Sequence, residues 1–126
     1  LAEKLEARCD FAQKNINVLI QVNLSQETTK SGLHDLDDVL QVAETLLCGK
    51  WLKFRGLMTI PAPNTGETQT RKIYAKLRGW RDKLQQELDS AEITELSMGM
   101  TADFNWAILE GATMIRVGSA IFGARN

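Results

Sequence analysis

The sequence predicts an α/β fold with a parallel sheet, because four short apolar segments alternate with amphipathic helical segments along its 126 residues. Strands that alternate with helices in this way form parallel sheets through right-handed crossovers. Nearly continuous apolar strands are also typical of a sheet that is covered on both faces. No internal repeat or low-complexity linker interrupts the pattern, so we expect residues 1–126 to lie within a single domain.

The predicted strands are runs of β-branched and other apolar residues that are bounded by polar or turn-forming residues. Pro61 and Pro63, for example, follow the second run, and proline cannot continue a central strand. The four predicted strands lie at residues 17–24, 54–60, 93–98 and 113–117. An open four-stranded α/β sheet satisfies this pattern.

The predicted helices cover residues 1–12, 36–48, 67–88 and 103–110, with one further helical turn at residues 119–122. Three aspartates stand at the start of the second helix, where the helix dipole favours negative charge, and Gly49 ends that helix. Thr101 is the expected N-cap of the short fourth helix. Tyr74 is the only tyrosine, and we expect it on the outer face of the third helix.

The composition argues against several classes of partner. A net charge of −1 does not suit binding to nucleic acid, which requires a basic surplus. The chain contains no apolar run of about 18 residues, so we expect no membrane span. Two cysteines and one histidine without metal-type spacing predict no metal site. The chain has no signal peptide and opens on Leu1 in what reads as mid-helix, so we expect a cytoplasmic protein whose true start is missing.

Two loops near the end of the chain form a candidate anion site. Backbone amides at a helix N-terminus attract anions, glycine allows close approach, and hydroxyl side chains add donors. In parallel α/β barrels, phosphate commonly lies on the loops after the last two strands. The candidate residues are Ser97, Met98, Thr101, Gly118 and Ser119. The same residues also suit ordinary turn and capping roles, and both interpretations can hold together.

Arg116 and Met58 are the remaining candidates. A guanidinium at the end of a buried strand is costly without a partner, so Arg116 by itself predicts a structural salt bridge or a side chain that extends its charge to solvent at the rim. Met58 lies near the carboxyl end of the second predicted strand, where a methionine ordinarily fills the core.

The chain also resembles a known family at several motifs in the same order. These motifs are Val18-Leu-Ile-Gln-Val-Asn23, Lys30-Ser-Gly32, Arg55-Gly-Leu-Met-Thr-Ile-Pro-Ala-Pro63, Ser97-Met-Gly-Met-Thr-Ala-Asp103 and Arg116-Val-Gly-Ser-Ala-Ile-Phe-Gly-Ala-Arg125. In them the chain is similar to the pyridoxal-phosphate homeostasis proteins, which are single-barrel relatives of the alanine racemase N-terminal domain. The resemblance covers most of the chain.

The resemblance implies that the four strands are strands five to eight of a (β/α)8 TIM barrel, so that the chain is the carboxyl-terminal half of a barrel. It implies that pyridoxal 5′-phosphate is the cofactor. Its phosphate would lie on Ser97, Thr101 and the amides of Met98, Gly118 and Ser119. Arg116 would face the pyridine nitrogen, and Met58 would pack against the ring. The lysine that forms the Schiff base in this family lies on the first barrel strand, which we expect to be absent.

Three functional hypotheses follow. The first is a protein that stores and supplies pyridoxal phosphate without turnover of its own. The second is an amino-acid racemase, which needs two bases that face the α-carbon, typically a lysine and a tyrosine. The third is a phosphate-binding half barrel of unrelated function. A half barrel leaves two open sheet edges, so we expect the missing half or a second copy as a partner.

Overall fold

The structure is a computed structural model that describes residues 1–25 and 32–124. Helices and strands alternate along the chain, as the sequence predicts. In chain order the elements are α1 (Ala2–Ala12), β1 (Ile16–Gln21), α2 (Leu36–Cys48), β2 (Leu52–Met58), α3 (Glu67–Glu87), β3 (Glu95–Met100), α4 (Phe104–Leu109), β4 (Met114–Arg116) and α5 (Ser119–Phe122). Every helix within residues 1–25 and 32–124 is too short or too polar to span a lipid bilayer.

The four strands form one parallel sheet in the order β1-β2-β3-β4. This arrangement confirms the predicted parallel α/β class, and each strand begins and ends within three residues of its predicted bounds. The helix α5 has the predicted bounds. Because the strands are parallel, their carboxyl ends and the loops that follow them lie along the same edge of the sheet.

The prediction that these strands are strands five to eight of a (β/α)8 barrel is wrong. The described residues form an open (β/α)4 sheet, in which β1 pairs only with β2 and β4 pairs only with β3. An edge strand is not covered as a barrel strand is. This explains a second difference from the sequence analysis, since Met114 and Ile115 on β4 are 40% and 39% exposed rather than buried.

The core lies between the sheet and helices α2, α3 and α4, which contact β1 to β4. Burial of apolar side chains stabilises such a layer by roughly 25 cal/mol for each Å² removed from water. Its fully buried large side chains are Tyr74, Leu57, Leu77, Leu84, Ile93, Leu96, Met98, Val22, Val39 and Thr59.

The helix α1 is fixed to the start of β2 by Glu6. The Glu6 carboxylate accepts the backbone N–H groups of Lys50, Trp51 and Leu52 at 2.5, 2.8 and 2.9 Å. The hydrogen bond from Trp51 is the main cause that lowers the pKa of Glu6. The indole of Trp51 also donates to Asp10 Oδ1 at 2.9 Å. These contacts secure the amino end of the sheet.

Strands β2 and β3 approach each other most closely at Gly56. A Cβ atom at this position would lie 1.9 Å from the carbonyl oxygen of Glu95, which is far inside van der Waals contact. The position is buried on the inner strand β2, where neither backbone can move without disturbing the ladder. Glycine is therefore required here for steric reasons.

We expect Gly56→Ala to lower the free energy of unfolding by about 1–3 kcal/mol or more, because the added methyl group overpacks the β2–β3 contact. Gly79→Ala is the matched control. Gly79 lies within α3, where an added Cβ meets no atom within 4 Å. Alanine there should raise the free energy of unfolding by about 1 kcal/mol, since it favours the helix. Urea unfolding of both variants measures the two changes, and a Gly56→Ala protein as stable as the wild type would contradict the steric argument.

Candidate functional site

A cleft of about 1210 Å³ lies at the carboxyl ends of β2, β3 and β4. Ligands of open α/β sheets bind outside this edge of the strands. The residues of the cleft come from three loops and from the helices that follow them, and several are polar. They are Ile60, Pro61, Ala62, Pro63, Asn64, Thr65, Gly66, Thr70, Met100, Thr101, Ala102, Asp103, Trp106, Arg116, Gly118, Ser119, Phe122 and Gly123.

Thr59 stands at the base of this edge and is fully buried. Its Oγ1 donates to the carbonyl of Val22 at 2.7 Å, and its backbone N–H donates to the carbonyl of Ser97 at 3.1 Å. Its own carbonyl accepts from Nη2 of Arg116 at 2.8 Å. The residue that follows β2 therefore has hydrogen bonds to the residue that follows β1, to the middle of β3 and to the last residue of β4.

Arg116 ends β4, and its guanidinium lines the cleft. The side chain is partly buried, and Thr59 accepts from its Nη2 atom. Its Nε atom is buried and has no hydrogen-bond partner among residues 1–25 and 32–124. A permanently charged group with a buried free donor is a costly arrangement, and a ligand acceptor in the cleft would satisfy it.

Thr101 does not cap α4, contrary to the prediction. The N-cap of α4 is Asp103, and its side chain makes no capping bond. The Thr101 hydroxyl instead accepts the backbone N–H groups of Gly118 and Ala120 at 3.2 and 3.3 Å. Thr101 therefore connects the loop after β3 with the turn after β4. This contact brings together the two loops that the sequence analysis paired as an anion site.

The loop after β3 is closed by Asp103. Its Oδ1 atom accepts the N–H of Met100 at 2.8 Å, and its own N–H donates to the carbonyl of Met100 at 3.1 Å. The loop is therefore a tight turn, which holds Thr101 at a fixed distance from the sheet.

Tyr74 lies in the core beneath this wall of the cleft, and not on an outer face of α3 as the sequence analysis expected. Its hydroxyl is buried and has no hydrogen-bond partner in the part of the chain that the structure describes. Burial raises the pKa of the Tyr74 phenol, the nearby Asp103 raises it further, and the cation of Arg116 opposes the shift.

The structure brings together Thr101, Arg116, Gly118 and Ser119 in the wall of the cleft. The side chain of Met98 is fully buried in the core, and Ser97 is buried on β3. Met58 is partly buried and pairs with Ser97 across β2 and β3, one residue before Thr59. These three residues do not line the cleft. Lys30 and Ser31 of the Lys30-Ser-Gly32 motif, and Arg125, lie outside the described residues.

Sequence reasoning did not select Thr59, Thr70, Asp103 or Tyr74 as residues of the site or its support. Thr59 carried the clearest available signal, since it is a polar residue at the end of an apolar strand and just before Pro61. Within residues 1–25 and 32–124, no three His, Cys, Asp or Glu side chains are arranged to hold a metal ion.

Comparison with known proteins identifies the family of this chain. Residues 1–126 match the family described as "Alanine racemase, N-terminal domain". A pyridoxal phosphate homeostasis protein of Pasteurella multocida (strain Pm70) is 40% identical over 126 residues, which are 100% of this chain and 54% of that protein. The protein of the same name from Escherichia coli (strain K12) is 38% identical over 117 residues, 88% of this chain and 46% of that protein. The chain therefore spans about half the length of these relatives, and the resemblance found in its motifs is confirmed.

Solved structures agree with this family. PipY of Synechococcus elongatus PCC7942 without PLP matches with a TM-score of 0.90 and 34% identity, over 97% of this chain and 56% of that one. The same protein with PLP bound matches with a TM-score of 0.84 and 30% identity, over the same shares. The match is to a (β/α)4 unit of an alanine racemase-like domain, and it corrects the numbering of the strands as five to eight.

We expect the phenol of Tyr74 to ionise well above the ordinary tyrosine pKa of about 10. At pH values between the ordinary tyrosine pKa and the raised pKa of Tyr74, the unfolded chain loses the phenolic proton while the folded chain keeps it. The free energy of unfolding should therefore fall as pH rises above about 10. Because Tyr74 is the only tyrosine, a near-ultraviolet absorbance titration reports it alone.

Tyr74→Phe is the control for this experiment. It should remove the alkaline loss of stability that is due to Tyr74, because phenylalanine has no phenolic proton to lose. An ordinary phenol titration near pH 10 would contradict the burial of Tyr74.

Proposed function

The chain belongs to the alanine racemase N-terminal domain family, and we propose that it binds pyridoxal 5′-phosphate in the cleft and serves to store and deliver this cofactor. The observation that carries the proposal is Arg116, whose buried Nε lacks a described partner in a cleft at the carboxyl edge of the sheet. Relatives named pyridoxal phosphate homeostasis protein and a PipY structure with PLP bound support the choice of ligand.

Arg116 suits the ring end of the cofactor. Pyridoxal phosphate, when bound, supplies an electron-withdrawing ring that promotes carbanion chemistry at attached amines. A guanidinium donates hydrogen bonds but keeps its charge at all ordinary pH values, so it cannot protonate the pyridine nitrogen. Arg116 would thus hold the ring with its nitrogen unprotonated, and the ring would be a weaker electron sink. This arrangement favours a protein that keeps the cofactor over an enzyme that uses it.

The turn after β4 suits the phosphate end. Thr101 connects this turn to the loop after β3, and its hydroxyl keeps one proton to donate. The N–H of Ser119 has no acceptor among the described residues and lies beside Gly118 in the wall of the cleft. We extend the proposal to the Ser97 hydroxyl, the Met98 amide and the Met58 side chain, which the resemblance assigns to the phosphate and the ring.

The racemase alternative finds little support in the cleft. Tyr74 is the only tyrosine, it is fully buried, and its raised pKa keeps it protonated, so it does not suit the role of a base that faces a substrate. None of the described lysines lines the cleft. Both features agree with binding and release of a cofactor without turnover, and the names of the relatives point the same way.

A second polypeptide segment is also part of the proposal. Ile121 and Phe122 of α5, the helix that follows the edge strand β4 in the chain, are 68% and 86% exposed. Contiguous exposed apolar side chains beside an open strand edge favour association. We propose that further residues of a longer protein or a second copy cover this surface.

Sedimentation analysis of the chain alone should then show self-association, and Phe122→Asp should reduce it. A monomeric wild-type chain at every concentration would contradict the second-copy version.

We expect Arg116→Gln to weaken binding of pyridoxal 5′-phosphate by about ten- to a hundredfold, as expected for loss of a charged hydrogen bond. Gly118→Val should weaken it by at least about tenfold. Gly118 lines the cleft and a Cβ there meets no atom within 4 Å, so the added side chain takes up space at this wall without a clash of its Cβ inside the protein. Arg8→Gln, on an exposed position of α1, is the control for loss of one positive charge. Equilibrium dialysis measures all four proteins.

Pyridoxal, which lacks the phosphate, distinguishes the two ends of the cleft. Arg116→Gln should weaken binding of both compounds, whereas Gly118→Val should weaken chiefly the binding of pyridoxal 5′-phosphate. If neither variant changes affinity, the cofactor does not bind in this cleft.

A further inference from the structure

We infer that Thr59 is the positioning residue for Arg116 and sets the direction in which its free donor points. This inference rests on the proposed function, because it concerns how Arg116 meets the ring of the cofactor. Thr59 does not line the cleft, so it would act only through the arginine.

Arg116 needs an external constraint to point in one direction. An arginine side chain has several rotatable bonds, and ordering it costs conformational entropy. Among the described residues, the guanidinium of Arg116 donates one hydrogen bond, from Nη2 to the Thr59 carbonyl at 2.8 Å. The guanidinium is planar, so fixing Nη2 on an acceptor also restricts the direction of Nε and of the remaining N–H groups. The Thr59 carbonyl thus determines where the buried Nε can donate.

The Thr59 carbonyl is itself held by the strands on either side. The Thr59 N–H donates to Ser97 at 3.1 Å, toward β3, and Oγ1 donates to Val22 at 2.7 Å, toward β1. The residue is fully buried, so water does not compete for these bonds. The hydroxyl is the only one of these groups that a substitution can remove while the backbone stays. Removing the hydroxyl therefore loosens the Thr59 carbonyl without changing any residue that lines the cleft.

The variants Thr59→Val and Thr59→Ser separate positioning from packing. Valine keeps the branched shape but has no hydroxyl, so it leaves the Val22 carbonyl without its donor. Serine keeps the hydroxyl and loses one methyl group. If the hydroxyl positions the carbonyl, Thr59→Val should weaken binding of pyridoxal by about three- to tenfold, and Thr59→Ser should bind like the wild type. Binding of inorganic phosphate should be unchanged in both.

A double-mutant cycle tests the route through Arg116. If Thr59 acts through the arginine, Thr59→Val should have no further effect on pyridoxal binding in an Arg116→Gln background, since the group it positions is gone. A loss of the same size in both backgrounds would overturn the inference, as would a Thr59→Ser protein that binds as weakly as Thr59→Val.

The unliganded chain gives a readout that does not depend on the cofactor. In ¹⁵N relaxation measurements, the Nε–H group of Arg116 should be ordered in the wild type and in Thr59→Ser, and mobile in Thr59→Val. Arg116→Gln assigns the signal, and the exposed Arg8 supplies the mobile reference. An Arg116 Nε–H group as mobile as that of Arg8 in the wild type would overturn the inference even if Thr59→Val does not fold. If the wild type binds no pyridoxal phosphate, but its Nε–H group is ordered and becomes mobile in Thr59→Val, the proposed function fails while the positioning by Thr59 stands.

Discussion

The hydrogen bonds of one buried threonine connect the four strands of the sheet. Thr59 donates toward β1 and β3 and accepts from the arginine that ends β4, while it directly follows β2 itself. Parallel strands have no hairpins to align them, so their register depends on the ladders and on contacts at the strand ends. The cleft lies along this edge, and its geometry therefore depends on a residue that is not in its wall.

The opposite end of the sheet is secured by a different device. There the Glu6 carboxylate gathers three successive backbone N–H groups at the start of β2, and Asp10 holds the indole of Trp51. Between the two ends, Gly56 permits a close approach of β2 to β3. The strand β2 is thus restrained at its start, its middle and its end, and it acts as the reference for the other strands. A ligand that binds at the carboxyl edge meets a surface that is already organised, which reduces the entropy lost on binding.

The sequence was sufficient for the class of fold, since hydrophobic periodicity decided where α2, α3 and the strands lie. It was insufficient for features that depend on what covers a residue. Ile115 belongs to an apolar run, yet it lies on an edge strand and is partly exposed. Tyr74 could not be placed because the position of a residue around a helix does not reveal which neighbouring element covers it.

The pairing of the loop after β3 with the turn after β4 followed from strand order, but the choice of Thr101 as the connecting residue did not. The Thr101 hydroxyl suited a cap on the next helix equally well. Only its 3.2 Å distance to the N–H of Gly118 shows that it connects the two loops instead. Thr59 was overlooked because its three bonds join segments that are far apart in the sequence.

Trp106 gives the cleft an optical property of its own. The chain has three tryptophans, and this one lies in the wall of the cleft, whereas Trp51 is buried beside α1 and Trp80 lies on α3. Pyridoxal compounds absorb light in the range in which tryptophan emits, so a ligand in the cleft would act as an acceptor for energy transfer from the nearest indole. Replacing Trp51 and Trp80 by phenylalanine would leave Trp106 as a single donor at the site, and occupancy of the cleft could then be followed in real time without any label.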